Sequence, residues 1–268
     1  MFSVLSLPFM QQALLLGMVI SLGAGILSPF LVLNQHGMIA HGIAHTTFTG
    51  VVIGLLLFND PLWVAIPFAV FISLSIEYLT NNVKLHGDVS IGIVSSIAFA
   101  IGLIILNTTS SIQVSVESLL VGNIFIARSS DMWLSIIIVL LIALFIYTFY
   151  KKLLIMTYDI VYARFLNIRV HLIKYTLAVL TALLIVVGVR AIGVLLISAL
   201  IIFPSAISSK LSLTFKWTII LSIILAVVSS LLGILLAHPL NTPASAMIVV
   251  VYAGLFLVSA LYERVKGT

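Results

Sequence analysis

Two histidines four residues apart, His41 and His45, stand in the apolar run IAHGIAHTTFTGVVIGLLLF. On a helix, a spacing of four puts both imidazoles on one face, one turn apart. Histidine inside hydrocarbon is costly and calls for a partner, a proton path or a cargo. Two imidazoles on one face suit a divalent transition metal held between ring nitrogens. The plainer alternative is a helix near the membrane boundary whose histidines hydrogen-bond to neighbouring carbonyls. The spacing is also that of the HExxH zinc-protease motif, but Gly42 occupies the glutamate position, and that chemistry needs the carboxylate as general base. What is left is a two-nitrogen half-site that binds and releases an ion without hydrolysing anything. His36 falls just upstream, in the preceding loop.

Around the pair, Thr46, Thr47, Thr49 and Gly50 form a small hydroxylated surface that either packs against a neighbour or lines a polar path. Farther on, Asp159 is placed to cap a short helix. Tyr162, Ala163, Phe165 and Leu166 would give that helix an apolar face, with Arg164 and Arg169 beside it. Such a face needs cover, either from a soluble partner or from lipid headgroups. Arg190 and Gly193 sit at a tight break, and Pro204 interrupts the segment that follows. Proline within a span frees a carbonyl and kinks the helix, and broken helices often line substrate paths. Glu77 lies near the cytoplasmic end of a span and reads as a snorkelling group rather than a proton carrier. Asp60, Glu117, Asp131 and His238 fall on the opposite side and read as solvated loop residues. Asn241, Thr242 and Pro243 read as a turn and a helix start.

The elements that position these residues follow from composition. Of 268 residues, 63% are hydrophobic and only 7% charged, with a mean hydropathy of +1.36. A soluble domain carries about 25% charged residues, so too little polar surface is left to cover a water-soluble globule. Cysteine is absent, which removes disulfides and thiolate metal sites. The opening MFSVLSLPFMQQ has no cationic region, and no cleavable signal is expected. Nine apolar segments are predicted as spans: 9–33, 39–58, 62–79, 89–106, 133–150, 172–189, 194–208, 217–237 and 243–262. Crossing hydrocarbon needs roughly 20 residues. The break at Arg190–Gly193 leaves eight to ten crossings open, and segment 108–131 is amphipathic enough for a surface or re-entrant helix.

Charge sets the orientation. With loop 151–171 inside, ten of the twelve Lys and Arg residues share the cytoplasmic side, and only Arg128 and Arg190 lie opposite. The net charge of +5 is therefore a matter of topology and does not point to nucleic acid. No GxxxxGK[ST] sequence occurs, so any work driven by ATP through a P-loop belongs to another subunit.

Several short motifs occur in a fixed order on this scaffold. They are Pro8-Phe9-Met10-Gln11-Gln12-Ala13-Leu14, the His41 to Gly50 segment, Asp88-Val-Ser-Ile-Gly-Ile93, Ser118-Leu-Leu-Val-Gly-Asn-Ile124, Asp159 to Ala163, Gly193 to Pro204, and Asn241-Thr242-Pro243. In this order they resemble the membrane permeases of metal-specific ABC importers, the ZnuB-like zinc/manganese uptake family, over nearly the whole chain.

The resemblance implies an all-α integral membrane protein with eight or nine transmembrane helices and the type II ABC importer permease fold. Residues 1–268 would form a single permease domain with a cytoplasmic coupling region near 157–169. The protein would sit in a bacterial cell membrane as a multi-pass homodimer surrounded by membrane lipid. It would work with two cytoplasmic ATPase subunits and an extracellular metal-binding protein. It would not itself be an enzyme and would hold no permanent cofactor, its metal being transported Zn2+ or Mn2+. His45 matches the family's metal-path histidine, and His41 stands where aspartate is usual. Asp159, Tyr162, Ala163, Arg164 and Asn167 fall in the coupling region, where Asn167 replaces a glycine but can still form a left-handed cap. Thr49, Gly50, Gly193 and Pro204 become path or hinge candidates. A histidine pair is softer than aspartate with histidine, and the run HTTFTG lacks the proline of manganese-type HAVLPG. Both differences favour zinc, with manganese as the alternative. A proton-coupled secondary metal transporter, with Glu77 and the histidines as relay, is the rival of another class.

Overall fold

In hydrocarbon every backbone polar group must be paired within the chain, so long apolar segments close their own hydrogen-bond ladders as helices. The computed structural model describes residues 8–34, 36–58, 61–83, 87–109, 129–212, 214–240 and 242–266. Its long helices are α1 (Pro8–Val32), α2 (Ile39–Leu57), α3 (Leu62–Asn82), α4 (Gly87–Thr108), α5 (Ser129–Tyr158), α7 (Val170–Ile192), α8 (Val194–Leu211), α9 (Phe215–Leu240) and α10 (Ala244–Lys266). The short α6 (Ile160–Phe165) lies between α5 and α7. Among the described residues, nine helices are long and apolar enough to cross a membrane. Residues 110–128 fall outside this description. The amphipathic stretch expected at 108–131, with Glu117, the Ser118 to Ile124 motif and Arg128, therefore lies largely outside the described residues, as do Asp60, Lys84 and Asn241.

One expected boundary is corrected. Residues 151–171 do not form one polar loop, because α5 continues through Lys151 and Lys152 to Tyr158 and α7 begins at Val170. At 30 residues α5 is about 45 Å long, more than a hydrocarbon core of about 30 Å requires. Its basic end therefore carries α6 clear of the apolar layer.

Helices α1, α2, α7 and α8 form the interior, each with more than 60% of its apolar window buried. Helices α3, α4, α5, α9 and α10 lie outside them, with a third or less buried, and present Ile97, Ile104, Leu140, Leu144 and Val250 outward. Helix α1 packs on α5, α8 and α9, while α2 packs on α3, α4, α7 and α8. Close approach depends on small residues: a Cβ on Gly25 would stand 2.8 Å from the Ile223 Cα on α9, where Ser222 Oγ donates to the Gly25 carbonyl at 3.0 Å.

Three polar features tie the bundle together. Gly193 separates α7 from α8 with φ 90° and ψ 161°, a region essentially reserved for glycine. Near it, Arg190 Nε lies 3.5 Å from Asp131 Oδ1 at the start of α5. Asp131 is thus buried and paired, not the solvated loop residue expected. In α8, Pro204 opens the ladder, and the hydroxyl of Ser28 on α1 enters the gap. Ser28 Oγ donates to the Ile201 carbonyl and accepts from the Ser205 N–H at 3.0 Å. Insertion of a side chain at a proline break is a recognised way to satisfy the freed backbone groups.

Candidate metal-path site

Helix α2 carries His41 and His45 on the face predicted, and their rings meet. The two Nε2 atoms are 3.1 Å apart, with ring centroids at 4.4 Å and planes at 76°. Both imidazoles are half-buried. Two nitrogens each about 2.1 Å from one tetrahedral ion stand about 3.4 Å apart, so the observed separation is close to the bite of a shared cation. Among the described residues, no group of three or more His, Asp or Glu side chains converges. Among the described residues the candidate site is a pair of nitrogens. His45 Nδ1 is buried without a hydrogen-bond partner, and its Nε2 is at hydrogen-bond distance from His41 Nε2, so the tautomers of the two rings are linked.

The wall behind the pair comes from α4. Phe99 lies edge-on to His45 at 5.2 Å and also touches Phe48 at 5.2 Å. Its role was not legible from sequence, since it sits among other apolar residues of a predicted span. Gly42 faces Ile91 and Ser95 of α4 with no room for a Cβ, which gives that position a packing reason beyond the missing glutamate. Thr49 Oγ1 donates to the Ala98 carbonyl at 2.6 Å, and a Cβ on Gly50 would stand 2.9 Å from the Ala65 Cα of α3. Thr46 and Thr47 both donate to the Ile43 carbonyl of their own helix, at 2.9 and 2.8 Å. All four residues are buried within the protomer. Gly193 and Pro204 are on the α7–α8 unit described above, away from the histidine pair in sequence but joined to it where α8 packs on α2.

His36 does not join the pair. It lies in the α1–α2 connection, beside a small pocket also lined by Asn34, Glu77 and Lys174. Burial pushes its imidazole below the ordinary histidine value; Glu77 opposes that shift, Lys174 adds to it and Asp88 opposes it. Glu77 is only 2% exposed, and Asn81 Nδ2 donates to its Oε1 at 2.7 Å. The snorkelling expectation is corrected: the carboxylate faces inward, where α3 packs on α7.

The segment expected to couple to the ATPase is a short capped helix. Asp159 Oδ1 accepts from Val161 N at 2.8 Å and Tyr162 N at 2.9 Å. At the other end Asn167 adopts φ 54°, with Asn167 N donating to the Arg164 carbonyl at 3.0 Å and Ile168 N to the Ala163 carbonyl at 3.1 Å. This is the paired bonding of a left-handed helix terminus. Ala163 is fully buried, whereas Tyr162 is 51% and Phe165 79% exposed, their rings stacked at 17° and 6.5 Å. The expected apolar face thus divides: Ala163 anchors the turn inward, and Val161, Tyr162, Phe165 and Leu166 point out.

A family model described as the ABC 3 transport family matches residues 6–263. The manganese import system permease protein ScaB of Streptococcus gordonii is 32% identical over 251 residues, covering 94% of this chain and 90% of that protein. The manganese transport system membrane protein MntC of Listeria innocua is 28% identical over 259 residues, 97% of this chain and 92% of its own. The solved structure of PsaBC from Streptococcus pneumoniae in complex with Fab contains a chain that superposes with a TM-score of 0.83 at 30% identity, covering 95% of this chain and 91% of that one. The two named transport proteins are manganese proteins, whereas the sequence favoured zinc.

Proposed function

The chain belongs to the ABC 3 transport family and is the membrane permease of an ABC metal importer; we propose that its cargo is manganese, received by His41 and His45 on α2. The carrying observation is the convergence of two Nε2 atoms at 3.1 Å inside an apolar span. Manganese is favoured because the similar permeases are named for it. A two-nitrogen site also suits a cargo, since a conducting site must bind well enough to admit an ion and loosely enough to release it. Both imidazoles must be neutral at Nε2 to ligate. In the assembled importer we assign the remaining ligands to water or to the same helix of a second permease copy. The exposed turn at Tyr162 and Phe165 receives a cytoplasmic ATPase subunit, two of which serve the dimer. An extracellular binding protein delivers the ion from the other side.

Zinc is the second reading, for one reason: the pair offers nitrogen without carboxylate, a donor set that suits zinc better than the harder manganese. Uptake of radioactive manganese in cells carrying the full importer, with zinc as competitor, separates the two. The manganese reading expects uptake that an equal concentration of zinc barely reduces, and a further shift toward manganese in His41→Asp. Uptake of zinc at the expense of manganese by the native chain would reverse the assignment. Transport that follows a proton gradient with the ATPase inactive would instead favour the proton-coupled rival.

A further inference from the structure

On the basic side of the molecule an open groove runs between α5 and α7, beneath the turn that follows α6. One wall is Phe145, Phe149 and Lys152 of α5; the other is Arg169, just before α7, with Leu172 and Thr176 of α7. On each helix these residues recur at intervals of three or four, which places them on one face. Each wall spans eight residues, about 10 Å along the chain axis. Lys152 and Arg169 are the lining residues of each wall nearer to α6 along the chain, and Phe145, Phe149 and Leu172 lie farther into the spans. Lys152 Nζ sits over the Phe149 ring at 5.3 Å, and both Lys152 and Arg169 are exposed. Among the described residues no Asp or Glu lines the groove, and the described carboxylate nearest Lys152 in sequence, Asp159, accepts two backbone N–H groups as the cap of α6. Two positive charges therefore line one largely apolar groove, with no acidic side chain in it among the described residues.

We propose that this groove binds an anionic phospholipid, its phosphate held between Lys152 and Arg169 and an acyl chain lying along Phe145, Phe149, Leu172 and Thr176. The charge sign selects an anion, and the depth selects an amphiphile. A soluble anion has no use for the apolar wall of Phe145, Phe149 and Leu172 beyond the cations, and a soluble protein subunit does not reach into a membrane span. Basic pockets between helices on the cytoplasmic side commonly take lipid headgroups. Because Asn167 and Ile168 close the top of the same groove, the lipid would brace the turn that fixes α6 on α7. The bound lipid would thus support the coupling segment from the membrane side, whichever metal is carried.

The full-length permease in nanodiscs of phosphatidylcholine, spiked with photoreactive phosphatidylglycerol, tests this by peptide mapping of the adducts. Labelling is expected on 145–152 and 169–176, and excess phosphatidylglycerol should displace it at least tenfold better than phosphatidylcholine. Each cation near a membrane surface is worth about fivefold, so Lys152→Gln with Arg169→Gln should cut labelling by well over tenfold. The charge-conserving pair Lys152→Arg with Arg169→Lys should retain it, and Lys210→Gln, a basic residue at the α8 end, should leave it unchanged. Equal labelling of native and neutralised chains, equal competition by both lipids, or displacement by inorganic phosphate would overturn the proposal. So would loss of the label when the ATPase subunit is added, which would make the groove a protein-docking surface.

Discussion

His41 and His45 hold their Nε2 atoms 3.1 Å apart with their ring planes at 76°, a separation close to that of two nitrogens on one shared cation. If this is the cargo's station, neither ring is dispensable. Removing an outer hydrogen bond to a metal ligand already costs about 10–100-fold in affinity, so removing a ligand should cost no less. His45→Ala and the double variant with His41→Ala should each lower initial metal uptake by at least about tenfold, with the importer still assembling and its ATPase still bound. Uptake measured at equal membrane abundance checks this, and native rates in the double variant would remove the histidines from the path.

The capping geometry of α6 separates residues that build the turn from residues that present it. Tyr162→Ala and Phe165→Ala alter exposed rings, so the permease alone should keep its thermal midpoint, within about 0.5 kcal/mol. Retention of the ATPase should fall by an order of magnitude or more, the usual effect of losing an aromatic anchor. Asp159→Ala should differ by destabilising the turn by about 1 kcal/mol, since two N–H groups lose their acceptor. Co-purification of the ATPase, set beside unfolding of the isolated permease, distinguishes the two classes. Loss of stability in Phe165→Ala would count against a docking role.

Local chemistry made part of this legible in sequence. The spans follow from apolar length, the histidine pair from a spacing of four, and the α6 cap from an aspartate at a polar break. The left-handed turn at Asn167 follows from the residue type most tolerant of it after glycine. What was hidden depends on partners far along the chain. Asp131 reads as a loop residue until α7 brings Arg190 to it. Glu77 reads as a snorkelling group until α3 turns that face toward α7. Phe99 is one apolar residue among many until α4 lies on α2. No periodicity within one helix states which neighbour its face will meet. The choice of metal is hidden for another reason, because two imidazoles alone serve several divalent ions.

His36 gives the fold a pH dependence of defined sign. Its imidazole is held below the ordinary value of about 6.5, first by burial, with Glu77 and Asp88 opposing and Lys174 reinforcing the shift. The unfolded chain therefore binds a proton at this position before the folded chain does. Stability from this group is intact above about 6.5 and declines as pH falls below it, until the lower folded value is reached. His36→Gln should remove that decline, so the native and variant midpoints should converge near neutral pH and separate in mild acid, the native chain falling further. Thermal unfolding of both proteins in one detergent across this interval checks it. Parallel curves would mean that His36 is not protonated differently in the two states.

Ser28 and Pro204 should behave as a coupled pair. The Ser28 hydroxyl is fully buried and serves two groups of α8 at once, the Ile201 carbonyl and the Ser205 N–H. Ser28→Ala leaves both without that partner in an apolar interior, where each buried unpaired group costs about 1–3 kcal/mol. The gap exists because proline at 204 cannot close the ladder beneath it. In a Pro204→Ala background the Ser205 N–H can return to the Ile201 carbonyl, and Ser28→Ala should then cost much less. The four proteins form a double-mutant cycle, and thermal or denaturant unfolding in detergent should show a coupling energy of about 1 kcal/mol or more. Additive losses would mean that the hydroxyl does not substitute for the missing helical bonds. The same variants bear on function, since α8 packs on the histidine-bearing α2 and begins at Gly193. If α8 must flex at this break during transport, Pro204→Ala should lower uptake even where it raises stability. An unchanged uptake rate would make the break a packing device alone.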